Sequence, residues 1–183
     1  MILSNPIKAV LFDLDGTLRH HIPSAGDVFV DYARSMGLRI SEEDHIRAEH
    51  WVHHYFAFSL ELQADGNLFK DDLKGFWVNF TKRRLVALGI GTAQAVEFAP
   101  QASAYMQEFY KPEVHVPPDV YPLLESLKRS GYVLGVVSNR EEPYHDEIKN
   151  IKLDSYFQFI LAGGEVKSFK PHRLIFKHAL ELA

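Results

Sequence analysis

Asp13 and Asp15 are the residues of this chain whose type and spacing most clearly suggest chemistry. They follow Ala9-Val10-Leu11-Phe12, a short unbroken apolar run that reads as a buried strand. A strand apolar on both faces belongs to a parallel sheet covered by helices, and open sheets of that kind bind ligands at the carboxyl ends of their strands. Side chains alternate along a strand. Two carboxylates two residues apart therefore start on the same side, next to the flexible turn that Gly16 permits. Two acids so close repel each other and call for a divalent cation or a shared proton.

Other strand ends must come beside these carboxylates. Residues 132–137 read as a second buried strand, ending in Ser138-Asn139-Arg140, and residues 157–162 as a third, followed by Gly163-Gly164. A helix precedes the second strand, with Asp119 as its cap and Gly131 just past its end. Residues 143–151 form another. Lys170-Pro171 opens a last helix that runs from His172 to the end of the chain, with Pro171 in the favoured first turn. Between the first and second strands, residues 25–110 show no strand-like alternation. They divide into helices over 27–36, from a Ser41 cap to about residue 63, over 68–88, and over 92–109 with a break at Pro100. The aromatic series Trp51, Tyr55, Phe56, Phe58, Phe76, Trp77 and Phe80 supplies the core of that region. His50, His53 and His54 have helical spacing but no matching carboxylate, so a solvated or partly packed helix face is the simpler reading than a metal site. His20 and His21 follow the first acidic pair closely enough to reach the mouth of a cleft.

Composition narrows the function classes. The chain has 183 residues, 46% hydrophobic, enough for one domain or one domain with an insertion. Its net charge of −4, with both signs interspersed, gives no basic footprint for nucleic acid. No stretch has the roughly 18 apolar residues needed to span a bilayer, and the N-terminus lacks the pattern of a signal peptide. With no cysteine, disulfides, thiolate metal sites and a Cys nucleophile are excluded, and a reducing cytoplasm is the default compartment.

Asp13-Leu14-Asp15-Gly16-Thr17 after an apolar strand resembles the first motif of the haloacid-dehalogenase-like hydrolases. Ser138, at the end of the next core strand, resembles the second. Lys170, followed by Pro171 and the Ile175-Phe176 helix, resembles the third better than Lys167 does. The helical stretch between the first two motifs matches the family's cap by position and character. The resemblance implies an α/β fold: a Rossmann-like parallel-sheet core over residues 1–21 and 113–183, and an all-helical cap over 22–112. The family's fourth motif, an acidic pair after a further strand, has no counterpart here. The expectation is therefore a core truncated at its C-terminus, with the first strand at the sheet edge, where it would favour self-association.

The resemblance implies a phosphatase that acts through an aspartyl-phosphate on a small phosphorylated metabolite. Asp13 is the nucleophile. Asp15 is the general acid and then base, with its pKa raised by the neighbouring carboxylate. Mg²⁺ is held by the Asp13 side chain and the Asp15 backbone carbonyl. Thr17, Ser138, Asn139 and Lys170 bind the substrate, Lys170 also neutralising charge during transfer. Arg140 either contacts substrate or caps the sheet edge. Asp at position 15 favours phosphoryl transfer over dehalogenation, which needs no proton donor there. Two alternatives stay open: a phosphosugar mutase with the same core chemistry, and an inactive fragment or binding module.

Overall fold

The computed structural model describes residues 7–183. In chain order its elements are β1 (Ala9–Phe12), β2 (His20–Ile22), α1 (Ala25–Ser35), α2 (Glu42–Phe56), α3 (Leu60–Leu68), α4 (Leu73–Ala87), α5 (Thr92–Phe109), β3 (Glu113–His115), α6 (Val120–Arg129), β4 (Val133–Ser138), α7 (His145–Asn150), β5 (Phe159–Ala162) and α8 (Arg173–Leu182). They divide into an α/β unit, which takes residues up to His20 and from Val114 onward, and a helical unit over His21–Glu113. Where the chain passes between units, β2 and β3 pair as a small two-stranded sheet. Neither strand carries an apolar pattern in the sequence.

The α/β unit is built on a parallel sheet of order β1-β4-β5. Ala9 pairs with Val133 and Phe12 with Val136, while Gly135 pairs with Phe159 and Ser138 with Ala162. Parallel pairing puts all three C-terminal ends on one side, so the loops after Phe12, Ser138 and Ala162 meet there. The central strand has the purest apolar run, and Leu134 and Val136 are fully buried. They pack with Leu14, Leu18, Leu124, Tyr144, Ile148 and Leu153 on one face; Val137 and Leu161 pack with Ile175 and Ala179 of α8 on the other. Among the described residues β1 lies at the sheet edge, as expected, and is not the fully buried strand that its apolar run suggests. Its residues are half-buried, because among the described residues only β4 pairs with it.

The helical unit shows where local signals were misread. The single helix expected from Ser41 to about residue 63 is two. Phe58 adopts a positive φ of 62°, and Ser59 starts α3 by accepting a hydrogen bond from the Leu62 amide. Pro100 does not break α5, which runs unbroken over 18 residues. Proline costs a helix one hydrogen bond. Here Ala95, Ala99 and Ala102 of the same helix are fully buried in the core with Phe29, Leu85 and Leu88, and this packing outweighs the local cost. The Ser41 cap forms as expected, and Asp44 returns the bond to the Ser41 amide.

One polar network is buried in this unit. The Tyr55 hydroxyl, on a fully buried residue, donates to Asp65 Oδ2 at 3.0 Å. Arg83 reaches the same carboxylate at 2.7 and 2.9 Å. The three residues tie α2, α3 and α4 together. Asp65 is the acceptor that both donor groups share, so its loss strands both. Asp65→Ala is expected to lower unfolding free energy by about 2–4 kcal/mol and Tyr55→Phe by about 1 kcal/mol, read from urea denaturation; equal costs would contradict this account.

Candidate active site

The turn after β1 is built by alternation. Leu14 and Leu18 are 0% and 2% exposed, and between them Gly16 takes a φ of +83° that other residues resist. The Leu14 carbonyl accepts from the amides of Thr17, Leu18 and Arg19, and the Gly16 amide donates to the Arg19 carbonyl at 2.8 Å. Burying the two leucines leaves Asp15 and Thr17 exposed between them, with Asp13 half-buried before them and Arg19 buried after them.

Asp13 meets Lys170. The Lys170 ammonium donates to Asp13 Oδ1 and, at 2.8 Å, to the Val137 carbonyl. Thr17 Oγ1 lies 3.5 Å from the other oxygen of Asp13. Lys170 comes from the loop after β5, and Asn139 fixes that loop at two points. The Asn139 amide nitrogen donates to the Lys170 carbonyl at 2.9 Å, and the Lys170 amide donates back to Asn139 Oδ1 at 2.5 Å. The Asn139 side chain therefore holds the Lys170 backbone through both its nitrogen and its oxygen. Gly164 allows the same two loops to touch. Its amide donates to the Arg140 carbonyl at 2.9 Å, and a Cβ there would run into the Glu141 backbone. Ser138 lies at the end of β4 with 5% exposure.

Asp15 sits in different company. Arg19 Nε donates to Asp15 Oδ1 at 2.8 Å, and Arg140 Nη2 donates to Oδ2 at 3.0 Å. The same two guanidiniums also hold Glu147, Arg19 through Nη2 at 2.7 Å and Arg140 through Nη1 at 2.5 Å. The result is a closed ring of alternating charge that joins the β1 turn, the β4 end and α7. Tyr144 supports it, with its ring 5.4 Å below the Arg140 guanidinium and its hydroxyl donating to the Leu161 carbonyl.

This ring corrects the expectation for Asp15. Burial pushes its carboxyl up, but the hydrogen bonds and charges of Arg19 and Arg140 outweigh that and hold it below the ordinary carboxylate range. The push foreseen from Asp13 does not prevail, because Asp13 has its own cation in Lys170. Arg19 and Glu147 were missed in the sequence. Arg19 lies four residues from Asp15, a signal that was available. Glu147 lies 128 positions from Arg19 and had none.

His20 and His21 are exposed on β2, and His50, His53 and His54 are exposed on α2. Among the described residues no three His, Cys, Asp or Glu side chains gather as a metal cluster. Among the described residues no helix is long and apolar enough to cross a membrane.

Comparison with known proteins fits this geometry. A family profile described as haloacid dehalogenase-like hydrolase matches residues 7–183. Named phosphoglycolate phosphatases from Aliivibrio fischeri and Mannheimia succiniciproducens are each 26% identical to the chain. The matches cover 95% and 93% of this chain and 71% and 69% of those proteins. A bovine haloacid dehalogenase-like hydrolase domain-containing protein 3 is 29% identical over 59% of this chain and 43% of its own length.

The ring makes a stability prediction. The folded-state pKa of Asp15 is depressed, so the unfolded chain binds more protons below about pH 4 and stability falls with acidification through that range. Asp15→Asn cannot gain that proton. Its unfolding free energy is expected to depend less steeply on pH below about 4 than that of the unmodified protein, measured by denaturant titration. Parallel pH profiles would contradict the depressed pKa.

Proposed function

The matched profile places this chain among the haloacid dehalogenase-like hydrolases, and from that membership we propose a phosphatase that cleaves a small phosphorylated metabolite through an aspartyl-phosphate. The observation that carries the reading is the junction of Asp13, just after β1, with Lys170, from the loop beyond β5, at the C-terminal end of the sheet, with Asp15 two residues on. Asp13 attacks phosphorus and splits one displacement into two. Lys170 guides the incoming phosphate and balances charge on its oxygens, and the Ser138 hydroxyl donates a hydrogen bond to them. Asp15 gives a proton to the leaving oxygen, then takes one from the water that opens the intermediate. In the ring it stands ionised, the form needed for the second step. An arriving phosphate dianion raises its proton affinity for the first. The helical residues 22–112 act as the cap that selects the substrate. A phosphorylated small carboxylic acid is the substrate class that the phosphoglycolate phosphatase relatives suggest.

Mg²⁺ fits the donor set. Magnesium takes hard oxygen ligands, commonly one or two carboxylates together with water and substrate phosphate. The Asp13 carboxylate and the Asp15 backbone carbonyl would hold it, and when bound it neutralises charge on the phosphoryl oxygens. The charge count agrees. Asp13, Asp15 and Glu147 balance Lys170, Arg19 and Arg140, so a divalent cation and a phosphate dianion can enter together without leaving net charge. A chain without cysteine suits a reducing compartment such as the cytoplasm.

Hydrolysis of a phosphomonoester with and without Mg²⁺ tests the assignment. Activity is expected to require the metal, and Asp13→Asn is expected to lower kcat by roughly 10³-fold or more, the scale on which a lost nucleophile acts. Full activity in Asp13→Asn would overturn the reading. Asn139→Ala frees the Lys170 backbone and is expected to lower kcat by about 10–100-fold, as misplacement of a charged group does.

A further inference from the structure

Arg19 is the most deeply buried charged group of the α/β unit, at 4% exposure. Its guanidinium is engaged by Asp15 through Nε and by Glu147 through Nη2. Burying an arginine is costly unless its partners are fixed, and fixed partners are what the ring supplies. Asp15 Oδ1 and Oδ2 each receive one guanidinium donor, as do Glu147 Oε1 and Oε2. A carboxylate held at both oxygens cannot turn freely. The Asp15 side chain is otherwise about two-fifths exposed, and the short turn that carries it would leave it several rotamers. The backbone end of Arg19 is fixed as well, through the Leu14 carbonyl and the buried Leu18. Glu147 closes the device from α7, anchored by the fully buried Ile148.

We propose that Arg19 and Glu147 are positioning residues that aim the Asp15 carboxyl at the leaving oxygen, a role that rests on the phosphatase reading above. In the step concerned, the bond from Asp13 Oδ to phosphorus forms and the bond from phosphorus to the ester oxygen breaks. The electron pair goes to that oxygen, and the Asp15 proton moves onto it. Arg19 and Glu147 touch neither reacting atom and act only through Asp15.

Leaving groups separate positioning from general structural support. A simple alkyl phosphate needs a proton on its departing oxygen, whereas p-nitrophenyl phosphate leaves as a stable anion and needs little help. The value of kcat/KM reports this bond cleavage and not the later hydrolysis. In Mg²⁺-containing buffer, Arg19→Met and Glu147→Gln are expected to lower kcat/KM for the alkyl ester on the order of 10- to 100-fold, part of what general acid catalysis supplies, and for p-nitrophenyl phosphate by about threefold or less. Glu147→Gln keeps the side-chain shape and guards against a folding failure in Arg19→Met; thermal unfolding checks both. Asp15→Asn is the reference and should show the same discrimination, more strongly. If Asp15→Asn discriminates and the two positioning variants lower both esters equally, or neither, the positioning role is overturned while the phosphatase reading stands. If Asp15→Asn itself does not discriminate, the acid role of Asp15 falls and the positioning role with it.

Discussion

Leu14 and Leu18 share the core with Leu124, Leu134, Ile148 and Leu153, and the turn between them must bury both side chains at once. Burying side chains of this size is worth about 1.5–3 kcal/mol each, whereas an ion pair that buries Arg19 gives back much of its attraction as desolvation. The turn is therefore set by apolar packing, and the charges follow. Asp13 is directed to Lys170, and Asp15 and Arg19 are directed to each other and to the groups on β4 and α7. The parallel pairing of β1, β4 and β5 does the rest by ending three loops at one edge of the sheet.

Within that edge, two sets of charges are kept apart. Lys170 neutralises Asp13, while Arg19 and Arg140 neutralise Asp15 and Glu147. Separate partners give two carboxylates only two residues apart different surroundings, one with a single ammonium and one clamped at both oxygens. Their difference in environment, rather than their mutual repulsion, sets them apart electrostatically. Asn139 extends the same logic to the backbone by fixing the lysine that Asp13 meets.

The helical unit is held by different means. Alanines at 95, 99 and 102 let α5 approach its neighbours closely, and the Tyr55–Asp65–Arg83 network gives α2, α3 and α4 one polar tie inside an aromatic cluster of Trp51, Tyr55, Phe56 and Phe80. Pro100 shows how far such packing overrides local preference, and Phe58 shows the reverse, a backbone turn that no apolar periodicity could reveal.

Much of this was legible in the chain. Apolar runs ending in Asp13 and Ser138, and the Lys170-Pro171 helix start, identified the parallel core and three strand-end groups, because burial and alternation act between near neighbours in sequence. The partner of each charge was not legible. Asp15 was read as a carboxyl pressed by Asp13, whereas the fold surrounds it with arginines, one of them 125 residues away. Asn139 reads in the sequence as shaping its loop and offering a group to the phosphate, and the fold shows which loop it holds, the backbone of Lys170. Sequence alone determined which residues could carry charge at the ends of strands, since that depends on local pattern. Tertiary structure alone decided which charges meet, and so which carboxylate is held ionised, because electrostatic energy falls with distance in space and takes no account of distance along the chain.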